Sequence, residues 1–215
     1  KNARSFDPKA KHGRIETYEV KIEGEGIASP IVSFFPGDAE EGLIEGVPVG
    51  GERTVSVSAA NPNGATIRAG ETSGVEVTDG VNVVEVEMEA VPIFTNVADG
   101  AVVDNTRMVF RLFSDPKNPV VVEEVKRGGS QALVDASTNA AEIALDVVTG
   151  EGRLSPSLME PGSRRFAVKD LVTGRRSEAG VLLLDGTKRR PAPIFPAAVT
   201  GPRLSAAVGG LVGKR

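Results

Sequence analysis

Along this 215-residue chain, apolar residues alternate with polar ones in short bursts, and Gly, Pro, Asn and Asp stand between the bursts. A period of two is the mark of a half-buried strand. Residues 15–22 place Tyr18, Val20 and Ile22 on one face. Residues 31–35 form a second run, stopped by Pro36-Gly37-Asp38, and residues 42–47 a third. In residues 53–59, Val55 and Val57 alternate with Thr54, Ser56 and Ser58. Asn61-Pro62-Asn63-Gly64 reads as a turn, because Asn-Gly tolerates positive φ. Residues 65–69, 74–77 and 82–88 follow. In the last of these, Val84, Val86 and Met88 face inward against Glu85, Glu87 and Glu89. The spacing predicts about seven strands, as in a β-sandwich.

Residues 89–93 (EAVPI) form a short linker containing Pro92, which predicts two units end to end in a semi-rigid rod. Beyond it, Met108, Phe110 and Leu112 alternate with Arg107, Val109 and Arg111. Residues 120–125 are a β-branched run. Residues 127–139, rich in Gly, Ser and Asn, predict a loop. Strands are expected over 141–148, 154–158, 165–168 and 181–184, with a hairpin at 170–176. Val55, Val57, Val84, Val86, Phe110, Leu112, Phe166 and Val168 are the expected core. The fold class is all-β: two Ig-like β-sandwich domains in tandem, residues 14–90 and 91–187. A polar N-terminal arm (1–13) and an extended basic C-terminal tail (188–215) flank them.

Both units carry a resemblance to known families. Ala98-Asp99-Gly100-Ala101-Val102-Val103, Ser114-Asp115-Pro116 and residues 158–177 (LMEPGSRRFAVKDLVTGRRS) resemble the opening turn, first hairpin and closing hairpin of bacterial extracellular Ig-like repeats. Gly46-Val47-Pro48-Val49-Gly50 followed by Arg53-Thr54-Val55-Ser56-Val57 is similar to transthyretin-like, or carboxypeptidase-regulatory-like, sandwiches. The resemblance implies spacers, adhesin stalks or accessory modules, an inference by analogy of fold.

Charge divides the chain. Residues 1–90 hold 8 basic and 16 acidic side chains, 91–185 hold 11 and 13, and 186–215 hold 6 basic and none acidic. An acidic body with a basic tail suggests attraction between one chain's tail and another's body. The acidic body also argues against nucleic acid as a partner, and the tail lacks the Tyr or Trp that would stack on bases. No apolar run is long enough for a membrane helix. The sequence opens at Lys1 without an initiator Met or a secretory leader, as expected of a processed or trimmed chain.

Catalytic chemistry has little to work with. With no Cys, there is no thiol nucleophile, disulfide or thiolate metal site. The single histidine, His12, sits in the polar arm, which removes the usual general base and zinc ligand. There is no Gly-x-Ser-x-Gly elbow. Residues 209–214 (GGLVGK) fail as a P-loop, because Val208 stands where its first Gly belongs and Arg215 where Ser or Thr belongs. Asp38, Glu40, Glu41 and Glu45 are the best candidates for paired-carboxylate hydrolysis. The competing reading is a solvated loop that guards a sheet edge. That cluster, or Asp99, Asp104 and Asp115, would offer oxygen ligands to Ca²⁺, but without an ordered loop motif. No cofactor is expected. With Tyr18 as its only Tyr and no Trp, the chain lacks the platforms of a sugar-binding module.

These observations lead to an expected role as a non-enzymatic structural subunit of an extracellular or cell-surface filament or assembly. Its expected partners are copies of itself, joined head to tail, and other surface proteins. Leu204, Val208, Leu211 and Val212 of the tail are expected to insert by strand addition. Arg203, Lys188, Arg189 and Arg190 would pair with Glu85, Glu87 and Glu89 of the next subunit. An adhesin or accessory binding module of a larger secreted system is the second reading, and a carboxylate-dependent hydrolase the third.

Overall fold

The structure, a computed structural model, describes residues 12–186. Those residues are all-β, with a single 3-10 turn at Asn105–Arg107 and no α-helix. The predicted tail contacts Lys188, Arg189, Arg190, Arg203, Leu204, Val208, Leu211 and Val212 lie outside the described residues.

The first half builds one antiparallel sheet. Its strands are β1 (Thr17–Gly24), β2 (Ile31–Pro36), β3 (Gly50–Ala60), β4 (Thr66–Val77) and the short β5 (Glu89–Ala90), in the order β2-β1-β3-β4-β5. The alternation of β1 is realised in its register. Tyr18, Val20 and Ile22 stand opposite Ala59, Val57 and Val55, so one face is apolar. Side chains directly opposite on one face are the stabilising unit of a sheet. The other face carries Glu19, Lys21, Ser56 and Ser58, the partners of these positions in alternation.

Three strand expectations need correction. Residues 65–69 and 74–77 are one continuous strand, β4. Residues 42–47 pair with nothing, because Gly42, Gly46 and Pro48 supply few side chains to pack and Pro48 lacks an N–H. Residues 82–88 also form no ladder, and only Glu89 and Ala90 pair with β4, at Ala69 and Arg68. The cause is local. A side chain on Gly70 would collide with the carbonyl of Glu87, so its absence lets this segment cross over the sheet face. Thr72 Oγ1 then donates to the Glu85 carbonyl at 3.1 Å. Of the expected core here, Val55 is buried, whereas Val57, Val84 and Val86 are half-buried. The first half is therefore one sheet with two irregular covering segments, where seven strands in a sandwich were expected.

The second half stacks two sheets. One contains β7 (Ala101–Asp104), β9 (Val120–Lys126), β10 (Gly129–Ala132), β11 (Glu142–Ile143), β13 (Gly162–Asp170) and β14 (Arg176–Leu184). Its order is β10-β9-β13-β14-β7, with β11 also paired to β9. The other contains β6 (Ile93–Phe94), β8 (Phe110–Phe113) and β12 (Glu151–Leu154), in the order β12-β8-β6. Both sheets contribute to one sealed core. Phe110, Leu112 and Leu154 from the small sheet meet Val120, Val122, Phe166 and Val168 from the large one, and all are 0% exposed. Phe110 packs edge-on against Phe166 at 4.9 Å between centroids and lies 5.3 Å from Phe94. Edge-to-face rings add to the stabilisation from burial alone.

β7 and β10 were not expected, nor were the short β5 and β6 within and beside the expected linker, and the strand expected over 154–158 lies earlier, as β12 at Glu151–Leu154. β10 (GSQA) is exposed throughout, so it carries no hydrophobic alternation and is held by its ladder to β9. β7 pairs with β14 in parallel, a contact between residues about 80 positions apart that no local pattern announces. The expected strand over 141–148 shrinks to Glu142–Ile143. There the Asp146 carboxylate accepts the Val148 and Thr149 N–H groups at 3.0 and 2.7 Å and bends the chain away.

That bend is one of three copies of the same turn, at 135–139, 146–150 and 170–174. In each, the leading Asp side chain accepts backbone N–H groups two and three residues on. Its carbonyl accepts from the residue four on, which has positive φ: Asn139 (56°), Gly150 (69°) and Gly174 (74°). Asn and Gly are the residues that tolerate this conformation. In the third copy the Asp170 carboxylate is fully buried. Burial alone would raise its pKa. Hydrogen bonds donated by Thr173 N–H, Asn118 Nδ2 and Val172 N–H outweigh that and hold it below the ordinary value.

The two halves meet at the start of β14. Arg175 pairs with Glu89 at 2.8 Å, and Ser177 Oγ donates to the Pro92 carbonyl at 2.6 Å. The ring of Phe113 presses on Gly13, and the His12 carbonyl accepts from Asn61 Nδ2 at 3.2 Å. His12 and Gly13, expected in the polar arm, thus sit at the junction, between Asn61 of the first half and Phe113 of the second.

Candidate assembly surface

The apolar face of the first sheet is not sealed. Tyr18, Val20 and Ile22 of β1 and Val55 and Val57 of β3 form the floor of a cleft of about 960 Å³. One wall is the unpaired stretch around Leu43, Ile44 and Val47. The other is the segment bearing Val84, Val86 and Met88. The inward set foreseen for residues 82–88 therefore does turn inward, onto a space instead of onto a second sheet. Buried apolar residues on this half are few (Ile22, Val55, Ala59 and Ile67), whereas the second half holds a closed cluster. Leu43 is 71% exposed and Val81 86% exposed, one on each lip.

The rim is acidic. Glu40, Glu41 and Glu45 border one wall and Asp79 the other. The predicted acceptors divide. Glu85 and Glu87 project outward from the segment that crosses β4, exposed to solvent, whereas Glu89 is engaged by Arg175 of its own chain. The structure thus brings Glu85 and Glu87 to the outside of one cleft wall and sets Glu89 at the junction.

The residues weighed for metal or acid–base chemistry are scattered. Among the described residues, no three His, Asp or Glu side chains converge to hold a metal ion. Asp99 Oδ1 accepts from Gly180 N–H at 2.7 Å, Asp104 caps the 3-10 turn through Thr106, and Asp115 accepts from Lys117 N–H. Asp38, Glu40, Glu41 and Glu45 are exposed. Changing Glu40 and Glu41 to Gln together should shift unfolding free energy by no more than about 0.5 kcal/mol, as for ordinary surface sites. Urea denaturation checks this, and a hydrolytic activity lost in that variant would restore the hydrolase reading.

One polar residue escaped the sequence reading. Arg53 is 2% exposed, and its Nη2 donates to the Pro48 and Val49 carbonyls, both at 3.3 Å. Nε and Nη1 are buried without hydrogen bonds. Position 53 opens an alternating run, and nothing in that run marks its guanidinium as the tie between β3 and the loop before it.

No family model and no curated protein matches the chain. Among solved structures, it is similar to a chain described as "Biofilm associated protein - BSP domain", at 10% identity and a TM-score of 0.29. The alignment covers 81% of this chain and 26% of that one, so the chain spans about a quarter of that structure's length.

Proposed function

We propose that the chain is a non-enzymatic structural subunit of an extracellular or cell-surface assembly. Its two halves, divided near residue 90, are an open-faced sheet and a closed Ig-like sandwich, and its subunits join head to tail through terminal segments. The observation that carries this reading is the contrast between the halves. The second is closed around an aromatic and aliphatic core, whereas the first presents an apolar face between two unpaired walls. An apolar face left open on a folded chain is a candidate site of association. The floor of this cleft is aliphatic apart from the Tyr18 and Phe35 rings, so it suits burial of a peptide better than bond-making. A contact between two different surfaces of identical subunits generates a filament wherever the rotation between them does not close a ring.

The purified full chain should form concentration-dependent polymers in light scattering and electron microscopy. Deleting residues 188–215 should leave the β-sheet circular dichroism intact and abolish polymers. Assembly should weaken as salt rises, since exposed pairs are screened beyond about 10 Å at 0.1 M. A full chain that stays monomeric at every concentration overturns the proposal. If the truncated chain polymerises equally well, the connection does not run through the tail.

A further inference from the structure

We infer that the cleft on the first sheet is a docking groove for residues 204–212 of a second copy of this chain, bound in extended conformation. The inference rests on the subunit reading above and names the contact within it. Three observations on the molecule converge. First, the groove is strand-shaped. Its floor follows β1 and β3, and its two walls, around Leu43 and around Val84, have backbone outside any ladder, able to pair with an added strand. A nine-residue extended segment spans about 30 Å, comparable with the eleven-residue β3.

Second, the chemistry is complementary. The rim carries Glu40, Glu41, Glu45 and Asp79, with Glu85 and Glu87 on the outer side of one wall. Residues 186–215 hold six basic side chains and no acidic one. Arg203 immediately precedes the segment, and Lys214 and Arg215 follow it. In extended form, Leu204, Ala206, Val208 and Val212 share one face and suit the aliphatic floor. Leu211 falls on the opposite face, away from it.

Third, the tail begins at the end of β14 opposite the junction. β14 begins at the junction, where Arg175 holds Glu89 and Ser177 holds the Pro92 carbonyl. It runs nine residues to Leu184, about 27 Å along the strand from Arg176. The segment then acts as the missing layer over the first sheet.

Single thiols test this without background, since the chain has no Cys. Full-length Leu43→Cys or Val81→Cys, each on an exposed lip of the groove, is mixed with full-length Val208→Cys or Leu211→Cys and oxidised. The expected result is covalent dimers from Val208→Cys with both lip positions, and markedly fewer from Leu211→Cys. Equal yields from the two tail positions overturn the extended register. In the double variant Leu43→Cys/Val208→Cys, cross-linking confined to monomers overturns the second copy as occupant. Polymers seen by microscopy without any cross-link overturn the groove as the docking site and leave the subunit reading standing. Absence of both overturns both.

Discussion

Replacing Phe166 by alanine should destabilise the second half by about 3–5 kcal/mol, the range for deleting a large buried side chain. Phe166 is 0% exposed on β13 and meets Phe110 edge-on at 4.9 Å. Its removal leaves a void between two sheets, and β13, laddered on both sides, resists moving inward to fill it. The loss includes burial, dispersion contacts and the ring–ring geometry. The comparison is Val57→Ala. Val57 is half-buried on the floor of an open cleft, so removing two methyl groups there enlarges a space already present, and the cost should be several-fold smaller. Urea unfolding with unchanged m-values reads both effects as shifts in midpoint. Equal costs at the two sites would mean that the first sheet is as tightly sealed as the second sandwich.

The second large effect belongs to Asp170. Asp170→Ala should cost about 3 kcal/mol at neutral pH, because it strands the Val172 and Thr173 N–H groups and the Asn118 amide, all of which donate to the carboxylate. The turn at 146–150 has the same backbone bonds with an exposed carboxylate, so Asp146→Ala should cost less, with water replacing the lost acceptor. The effect depends on pH. The folded-state pKa of Asp170 lies below the ordinary 3.8, so its contribution is fully present above that value and is lost as pH falls through the folded pKa. The stability gap between the wild-type chain and Asp170→Ala should therefore hold from pH 7 to about pH 5 and narrow in strong acid. Asp135 and Asp146 are also lowered. Hydrogen bonds from Ser137 and Ser155 lead at Asp135, and those from Thr149 lead at Asp146, so the whole chain loses stability in the same direction. A gap that widens on acidification would show that the Asp170 carboxylate is not the acceptor holding this turn.

Much of the second half was legible because its signals are local. Phe110, Leu112, Phe166 and Val168 alternate with polar neighbours, and alternation reports a buried face wherever a strand forms. Asp170 and Gly174 mark a hairpin by their own backbone preferences. β7 and β10 were not legible for opposite reasons. β7 is specified by a parallel partner about 80 residues away, and β10 has no apolar face to betray it. In the first half, Val84, Val86 and Met88 were read on the correct face but in the wrong state, since a period of two describes an extended segment whether or not an edge pairs with it. The predicted acceptors Glu85, Glu87 and Glu89 look equivalent in sequence. Only the arrival of Arg175 beside Glu89 separates them.

By itself, the sequence determined that this chain is all-β. Its apolar period is two, its breaks are Gly, Pro, Asn and Asp, and its three Asp-led turns close through their own side chains. These are properties of a few neighbouring residues, and they survive any rearrangement at a distance. Tertiary structure decided which extended runs became strands and which became the walls of a cleft. That choice depends on whether a free backbone edge lies within hydrogen-bonding reach. At Gly70 a missing side chain let residues 82–88 pass over the sheet instead of beside it. The result is a closed sandwich in one half and an open apolar face in the other, from two stretches of sequence with the same alternation.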